Sequence, residues 1–581
     1  MRITSSEIGA GQDLALLLTV TLRGRAYRFG SDHVQVSNAE DDTIPSVLLF
    51  RAGLEPVEYE DAISIGSELT PDRSVSVSVL FGDDDGAGWA DLVAADHDLG
   101  DGVAELALYR LGDDWKDRRV LVAGRVTSPS YGSQREPVAF TINAEPGEDR
   151  GAVLVDSEIV TSDTWPITTT NFESADSAID QMYPRVYGSP GVIYSTDSFD
   201  TLPAVPALIV SIDHANLTGK STNYDSVNDV LVFAASVLLF RGEGAVDTVT
   251  LYNQSEDDDS GLPKKVTGWV PSTRLDKLDQ QVTHVQVTHN ATSGAGLQID
   301  ESHEIYWSCE TIGRGGVYNE DRSGSMRNAA EIMLDLLGMS TLQYDAPRIK
   351  ALARRLGGFD LDFFVNEQRS PYDVIQDDIL PILPVSPVVG ERGLYFVYWD
   401  FRAQASDAVD EINVQQRGGY RQSLVEVSDV AEVFNEITIN YALRADSGEY
   451  ARTLTVAPEN RRNEGSIYVH PVARASATRY TPQGQRLAAR VGETIASDVV
   501  YDPGTARAVL DWKLRAAAMV RETCEFVLPQ RYAGLNPGDV VVVSDSDILW
   551  ADRVCLVQSI TRGIGDVLVV VRTLPDWVRD V

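Results

Sequence analysis

Along the first 150 residues, apolar and polar positions alternate in short runs broken by turn residues. The clearest run is Ser74-Val75-Ser76-Val77-Ser78-Val79, where period two puts the valines on one face and the serines on the other. Similar patterns at 14–20, 25–29, 46–51, 74–81, 105–110, 120–126 and 137–142 predict strands throughout this part of the chain. A turn at Tyr131-Gly132 separates the last two, and the acidic loop Gly82-Asp83-Asp84-Asp85-Gly86 interrupts the series.

Residues 151–320 read as mixed and loop-rich, with strands resuming at 282–287 and 304–309. The hexapeptide at 236–241, Ser-Val-Leu-Leu-Phe-Arg, repeats 46–51, but no longer repeat surrounds it, so a domain duplication is not the preferred reading. The pattern turns helical after 320. Ser325 is an expected N-cap, with Met326, Ala329, Ala330, Met333, Leu334 and Leu337 at helical spacing and Gly338 as the stop. A second helix is expected from Asp345-Ala346-Pro347 to Gly357-Gly358. A third starts at Ser370-Pro371 and ends before Pro381. Strands return at 393–399 and 434–441. A helix is predicted over 505–520, with Val509, Trp512, Leu514, Ala517 and Val520 as buried positions. Strands at 525–528, 539–544, 553–560 and 566–572 suffice for most of a small barrel or sandwich. The fold class expected is mainly β with a small helical insert, multidomain, with tube-like β-barrel or sandwich domains at both chain ends. The expected division is 1–150, an N-terminal β domain; 151–320, a mixed middle domain; 321–430, a helical insert and following strands; and 431–581, a C-terminal β domain.

Charge adds a constraint. The 581 residues carry 87 acidic against 49 basic side chains, a formal net charge of −38; seven of the basic residues are lysine and the rest arginine. Such a surface repels nucleic acid, because phosphate affinity comes from Lys and Arg. The acidity has three readings: a GC-rich coding bias that favours Arg over Lys, a saline host, or a lumen that does not hold DNA. Cys309, Cys524 and Cys555 have neither metal-site nor disulfide spacing; the last two sit in apolar strand-like runs and read as buried thiols. No apolar run approaches the eighteen or so residues of a membrane span, and the N-terminus has no signal-peptide h-region. The chain is therefore expected to be made and assembled in a cytoplasm.

Candidate chemistry is sparse. His33, His97, His214, His284, His289, His303 and His470 include no HExxH, and His284 and His289, five apart in a strand, face opposite ways. Asp213-His214 lacks a nucleophile elbow. No P-loop or dinucleotide fingerprint is present. The clusters Asp83, Asp84, Asp85 and Asp257, Asp258, Asp259 could hold Ca²⁺ but lack EF-hand spacing and read as solvated loops. No catalytic, metal or cofactor-binding residue is assigned, and no cofactor is expected.

Several segments resemble the baseplate and tail-tip hub proteins of tailed phages, including those of siphophages and gene transfer agents. Arg327-Asn328-Ala329-Ala330-Glu331-Ile332-Met333-Leu334-Asp335-Leu336-Leu337-Gly338 looks like the helix opening that family's central helical part. Ser370-Pro371-Tyr372-Asp373-Val374-Ile375 is similar to the next helix. Phe434-Asn435-Glu436-Ile437-Thr438-Ile439-Asn440-Tyr441 looks like the strand that follows. Leu535-Asn536-Pro537-Gly538-Asp539-Val540-Val541 resembles a C-terminal turn and strand. Upstream, Tyr183-Pro184-Arg185-Val186-Tyr187-Gly188, followed by Pro203-Ala204-Val205-Pro206, is similar to a tail-protein pattern. The order of the pieces matters more than any one of them.

The resemblance implies a non-enzymatic structural hub. It implies a homotrimer in which two tube-like domains per chain make a ring of six similar units. That ring would match a hexameric tail tube and distal tail proteins above and threefold tip or fibre proteins below. Viral DNA would pass through its lumen without specific binding, and the host envelope would be met only indirectly. Its place would be the virion's distal tail. A receptor- or carbohydrate-binding tip component is the alternative, with Trp89, Trp115, Trp165 and Trp269 as candidate platforms; a tail-associated envelope-cutting enzyme is a third reading.

Overall fold

A computed structural model describes residues 14–22, 24–37, 47–57, 59–62, 73–80, 100, 102–130, 137–144, 173–174, 180–182, 185–194, 199–212, 224–225, 230–241, 249–255, 264–265, 269–275, 281–290, 295–296, 303–309, 318–319, 324–340, 342–367, 369–390, 393–415, 418–460, 467–483, 485, 487–562 and 566–579. The protein is mainly β with a few short helices, as the periodicity predicts.

Each N-terminal strand expected from alternation forms. They make one eight-stranded sheet in the order Val34–Ser37, Val47–Ala52, Arg25–Gly30, Leu14–Leu22, Val103–Arg110, Arg119–Ser130, Val138–Ala144, Arg73–Val79. The sheet curls back on itself. Gly53 and Leu54 donate their amides to Gly30 O (3.2 and 3.1 Å), while Glu55 N donates to Ser78 O (3.0 Å) and Leu80 N to Gly53 O (2.8 Å). The segment after Val47–Ala52 thus joins Arg25–Gly30 to the end strand Arg73–Val79 and closes the sheet on itself, leaving Val34–Ser37 outside the ring. Alternation sorts the side chains. Leu16, Leu18, Val20 and Leu22 face the interior with Val75, Val77, Val79, Phe140 and Ile142. Ala15 and Leu17 face outward and are covered by Val34, Val36, Leu48, Phe50 and Tyr109. Residues 15–18 are buried on both faces, which is why Ala15-Leu16-Leu17-Leu18 is a continuous apolar run, and alternation returns where Thr19 and the exposed Thr21 face outward.

The C-terminal sheet runs Asp410–Asn413, Val540–Asp545, Trp550–Arg562, Asp566–Thr573, Glu522–Pro529, Tyr420–Arg421. Asp410–Asn413 pairs in parallel with Val540–Asp545, and Tyr420–Arg421 and Glu426–Val427 pair with Glu522–Pro529. The sheet's two end strands, Asp410–Asn413 and Tyr420–Arg421, thus lie close together in the chain, and the sheet makes a second barrel-like unit. It takes a further strand from far away in sequence: Tyr59–Ala62 pairs antiparallel with Ser559, Ile560, Thr561 and Arg562.

Between the barrels lie a ten-stranded sheet built from 173–309 and the helical segment. The helix Ala329–Gly338 is capped by Asn328, whose side chain accepts from Ala330 N, three residues later than the expected Ser325. Ser325 instead lies in the two-residue strand Gly324–Ser325. Asn328 wins because its amide also donates to Ala353 O and Leu356 O, two carbonyls of the next helical turns (3.0 and 3.2 Å). Asp345 caps Ala346–Leu352 and Ser370 caps Pro371–Asp373 as expected. The third helix widens into a π turn over Val374–Ile379, and Pro381, expected just past its end, sits inside a closing 3-10 turn. A four-stranded sheet, ordered Ile467–Val469, Tyr450–Ala457, Glu436–Leu443, Val491–Ala496, carries the helices Pro471–Tyr480 and Pro503–Ala517. Val509, Trp512 and Leu514 are buried as expected. Ala517 and Val520 are only half-buried, since the helix ends at Ala517 and the chain turns away.

Candidate assembly surface

The sequence segments that carry the resemblance come together in space. Arg185 Nη2 and the Tyr187 hydroxyl both donate to Asp335 Oδ2, each at 2.7 Å, so the Arg-Val-Tyr-Gly run clamps the helix Ala329–Gly338. Burial pushes the Tyr187 phenol well above its ordinary range. Arg327 holds the fully buried Asp362 through Nε (2.8 Å) and Nη2 (2.7 Å), and Ser189 N donates to the same carboxylate (2.7 Å). Between these anchors Gly188 has φ +67°, and a Cβ there would lie 2.1 Å from Asp362 Oδ1. Only glycine fits.

Asn435 is buried and accepts from Arg490 N (2.8 Å), while the amides of Asn435 and Glu436 donate to Arg490 O; this fixes the edge of the four-stranded sheet. In the Leu-Asn-Pro-Gly-Asp turn, Asp539 accepts from Asn536 N (2.8 Å), and Gly538, at φ +81°, packs against Val397 with no room for a Cβ. Arg119 of the N-terminal barrel donates to Ala533 O (2.8 Å) and Asn536 Oδ1 (2.7 Å). Arg562 donates to Ala533 O and Leu535 O (3.0 and 2.6 Å). The turn is thus a joint between the two barrels, next to the Tyr59–Ala62 pairing.

A second network was not foreseen. Asp511 accepts from His470 Nε2 (3.0 Å), Arg515 Nε (3.1 Å) and Arg402 Nη2 (2.9 Å). Burial alone would raise its pKa, but these donors, His470 first, together hold the carboxyl well below the usual range. His470 Nδ1 accepts from Val472 N (3.2 Å), so the imidazole also caps Pro471–Tyr480. A His immediately before Pro at a helix start was the legible signal.

Among the described residues, no group of three or more His, Cys, Asp or Glu could hold a metal ion, and no helix is long and apolar enough to cross a membrane. Cys524 and Cys555 are free buried thiols, as expected, and burial pushes Cys524 up to about 11. His284 and His289 both lie on the strand Gln281–Asn290, opposite Leu238 and Phe233. His97, His214, Trp89, Trp165 and both acidic clusters lie outside the described residues. Trp115 is no exposed platform: it is half-buried and packs at a 35° tilt against Phe50 (5.2 Å between centroids) beneath the Arg118 guanidinium.

Exposed apolar side chains are scattered among the described residues, Leu80, Val103, Leu111, Val409, Tyr468 and Leu549 among them, and two groups of them lie on the barrels' own segments. Val47 and Leu49 (65% exposed) project from the strand Val47–Ala52 of the N-terminal barrel. Tyr420, Leu424 (79% exposed), Val427, Val430 and Phe434 follow one another along the weakly paired segment of the C-terminal barrel, with Val491 also exposed on the adjoining sheet. Next to Phe434 opens a cavity of about 290 Å³, lined by Ile437, Trp512, Ala516, Lys513, Arg521 and Arg572 among others.

A two-barrel chain held together by buried polar clamps, with apolar faces left uncovered, has the make-up of an assembly subunit. The family model described as Phage-tail_3, putative phage tail protein, matches residues 467–558, and it bears out the resemblance to tail proteins of tailed phages. No curated protein matches the chain. Among solved structures, the tail protein from Neisseria meningitidis MC58 aligns over 97% of this chain and 98% of its own at 8% identity, with a TM-score of 0.34. The 43 kDa tail protein of prophage MuSo2 from Shewanella oneidensis aligns over 97% and 99% at 10% identity, TM-score 0.31. A chain of the virion of a native gene transfer agent particle aligns over 74% and 91% at 11% identity, TM-score 0.36. At TM-scores below 0.5 these likenesses establish nothing further about this chain.

Proposed function

We propose that the chain is the structural hub subunit at the tip of a viral tail: a non-enzymatic trimer that adapts a hexameric tube and distal tail proteins above to threefold tip or fibre proteins below. The observation that carries this reading is the pair of barrel-like β units at opposite ends of the chain, joined through the pairing of Tyr59–Ala62 with Ser559–Arg562. Two similar units per chain let three chains present six around an axis, and the uncovered faces at Val47 and Leu49 and at Tyr420 to Phe434 are free to close the ring. The tail-family match over 467–558 supports the setting. In this reading the ring units fall in 1–150 and 431–581, with 321–430 as the helical insert and following strands, the last of which pair with the C-terminal unit. The chain sits in the distal tail after assembly in the host cytoplasm, DNA passes through the lumen unbound, and contact with the host envelope is indirect.

Purified particles test this. Three copies per particle at the tail tip, with the two barrels alternating around the axis, is the expected result. Dozens of copies, or barrels stacked along the axis, would overturn it. Release of soluble sugar or peptide from cell-envelope substrates, lost on mutating one carboxylate, would overturn the non-enzymatic part.

A further inference from the structure

The cavity beside Phe434 contains an electrostatic anomaly. Arg572 lines it from the barrel strand Asp566–Thr573 and is only 4% exposed. Its Nη2 donates to Ala516 O at 2.9 Å, and the guanidinium lies 5.6 Å over the Phe401 ring. Its Nε is buried with no hydrogen-bond partner, and no described carboxylate lies within ion-pair distance. Burial, reinforced by Arg521, pushes Arg572 down to about 10. Arg515, equally buried, has Asp511 at 3.1 Å. A buried charge is ordinarily paired, because desolvation is costly and only a close counter-charge offsets it. The other charges at the cavity are rim pairs: Arg521 with Glu432 (3.4 Å) and Lys513 with Glu493 (3.3 Å), each with a partner more than half exposed. Apolar walls come from Trp512, Ile437, Ala516, Ala517 and Phe434.

We propose that this cavity is a binding site for a carboxylate on a short apolar stem, and that in the assembled protein the occupant is an Asp or Glu side chain of a second copy of this chain. A volume of about 290 Å³ is at the lower end of small-molecule pockets, roughly 300–1,000 Å³, and suits one side chain. Phe434, an exposed apolar side chain, lines the cavity itself, and Val430 and Val491 are exposed close in sequence to its lining residues Glu432 and Gly492. The site is a cationic spot on a chain of net charge −38, so a second copy finds attraction here and repulsion over most of the remaining surface. The choice of occupant rests on the reading of the chain as an assembly subunit; the carboxylate site itself does not.

The test uses the full chain with phenylacetate as probe and phenylacetamide as its neutral counterpart, beside the Arg572→Met variant. Thermal unfolding of the wild type should shift upward with phenylacetate and not with phenylacetamide. Arg572→Met should unfold at or above the wild-type temperature and show no response to either. Sedimentation velocity should show wild-type self-association weakened at least tenfold by Arg572→Met. A wild type that ignores phenylacetate, or responds equally to the amide, overturns the site. A carboxylate response with unchanged self-association overturns the second copy as occupant, and leaves the hub reading to be decided by particle stoichiometry.

Discussion

Gly188 and Asp511 show how single positions carry this fold. A methyl at Gly188 meets both a left-handed backbone and the buried Asp362 carboxylate. Gly188→Ala should therefore destabilise the chain by on the order of 2 kcal/mol or more, measured by denaturant unfolding; a change within experimental error would mean the 185–189 turn relaxes freely. Asp511 is different because its contribution depends on pH. Its folded pKa is depressed, so its stabilisation is fully present above the unfolded value near 3.9 and is lost as pH falls below that. Asp511→Ala should cost about 3 kcal/mol at neutral pH, since it takes away the carboxylate that faces the buried Arg515 and leaves that charge only neutral acceptors such as Val578 O. The gap between variant and wild type should narrow steadily below about pH 4. A gap independent of pH would mean that packing, not charge, is what Asp511 supplies.

At the scale of elements, the polar part of the joint between the barrels includes, among the described residues, one four-residue strand pairing and two hydrogen bonds from Arg119. Arg119→Ala should remove about 2 kcal/mol of local stability, the usual worth of charge-assisted bonds. Hydrogen exchange should read this as faster exchange of the 533–536 turn and of Tyr59–Ala62, with the barrel interiors unchanged. Uniformly faster exchange would show instead that the barrels unfold as one unit. The segment 420–427 of the C-terminal barrel is a weak element, because Tyr420–Arg421 and Glu426–Val427 contribute two-residue pairings beside exposed apolar side chains. Segments of this kind are stabilised by what docks on them.

For the whole molecule the governing quantity is charge. Copies of net charge −38 repel one another at long range, and shortening the Debye length from ~30 Å at 0.01 M salt to ~8 Å at 0.15 M screens that repulsion. Self-association measured by light scattering should therefore strengthen over that range. Weakening would mean that exposed ion pairs, not apolar faces, hold the copies together. If the chain lines a DNA conduit, the lumen wall of a particle map should be no more basic than the exterior, since Lys and Arg would hold phosphates and slow their passage. A lumen more basic than the outside would reject the conduit, and equal densities would leave solubility in a saline host as sufficient reason for the acidity.

The sequence by itself determined the longer strands of both barrels, though not Val34–Ser37, Tyr59–Ala62 or the short strands at 410–427. Period-two alternation needs only local information, and runs such as 74–79 and 566–572 reach the same faces in the structure that they mark in the sequence. It also determined most helix starts, because Asp345 and Ser370 act on amides two or three residues away. Tertiary structure decided the rest. Asn328 displaced Ser325 as a cap through carbonyls contributed by the next helix. Tyr59–Ala62 found its partner some five hundred residues later in the chain, and 409–428 joined a barrel-like sheet whose longer strands come after it. His470, Arg515 and Arg402 met at the Asp511 carboxylate, and Arg572 was left without one among the described residues. Burial and pairing of charge depend on which distant segments become neighbours, and no local pattern in the sequence encodes that.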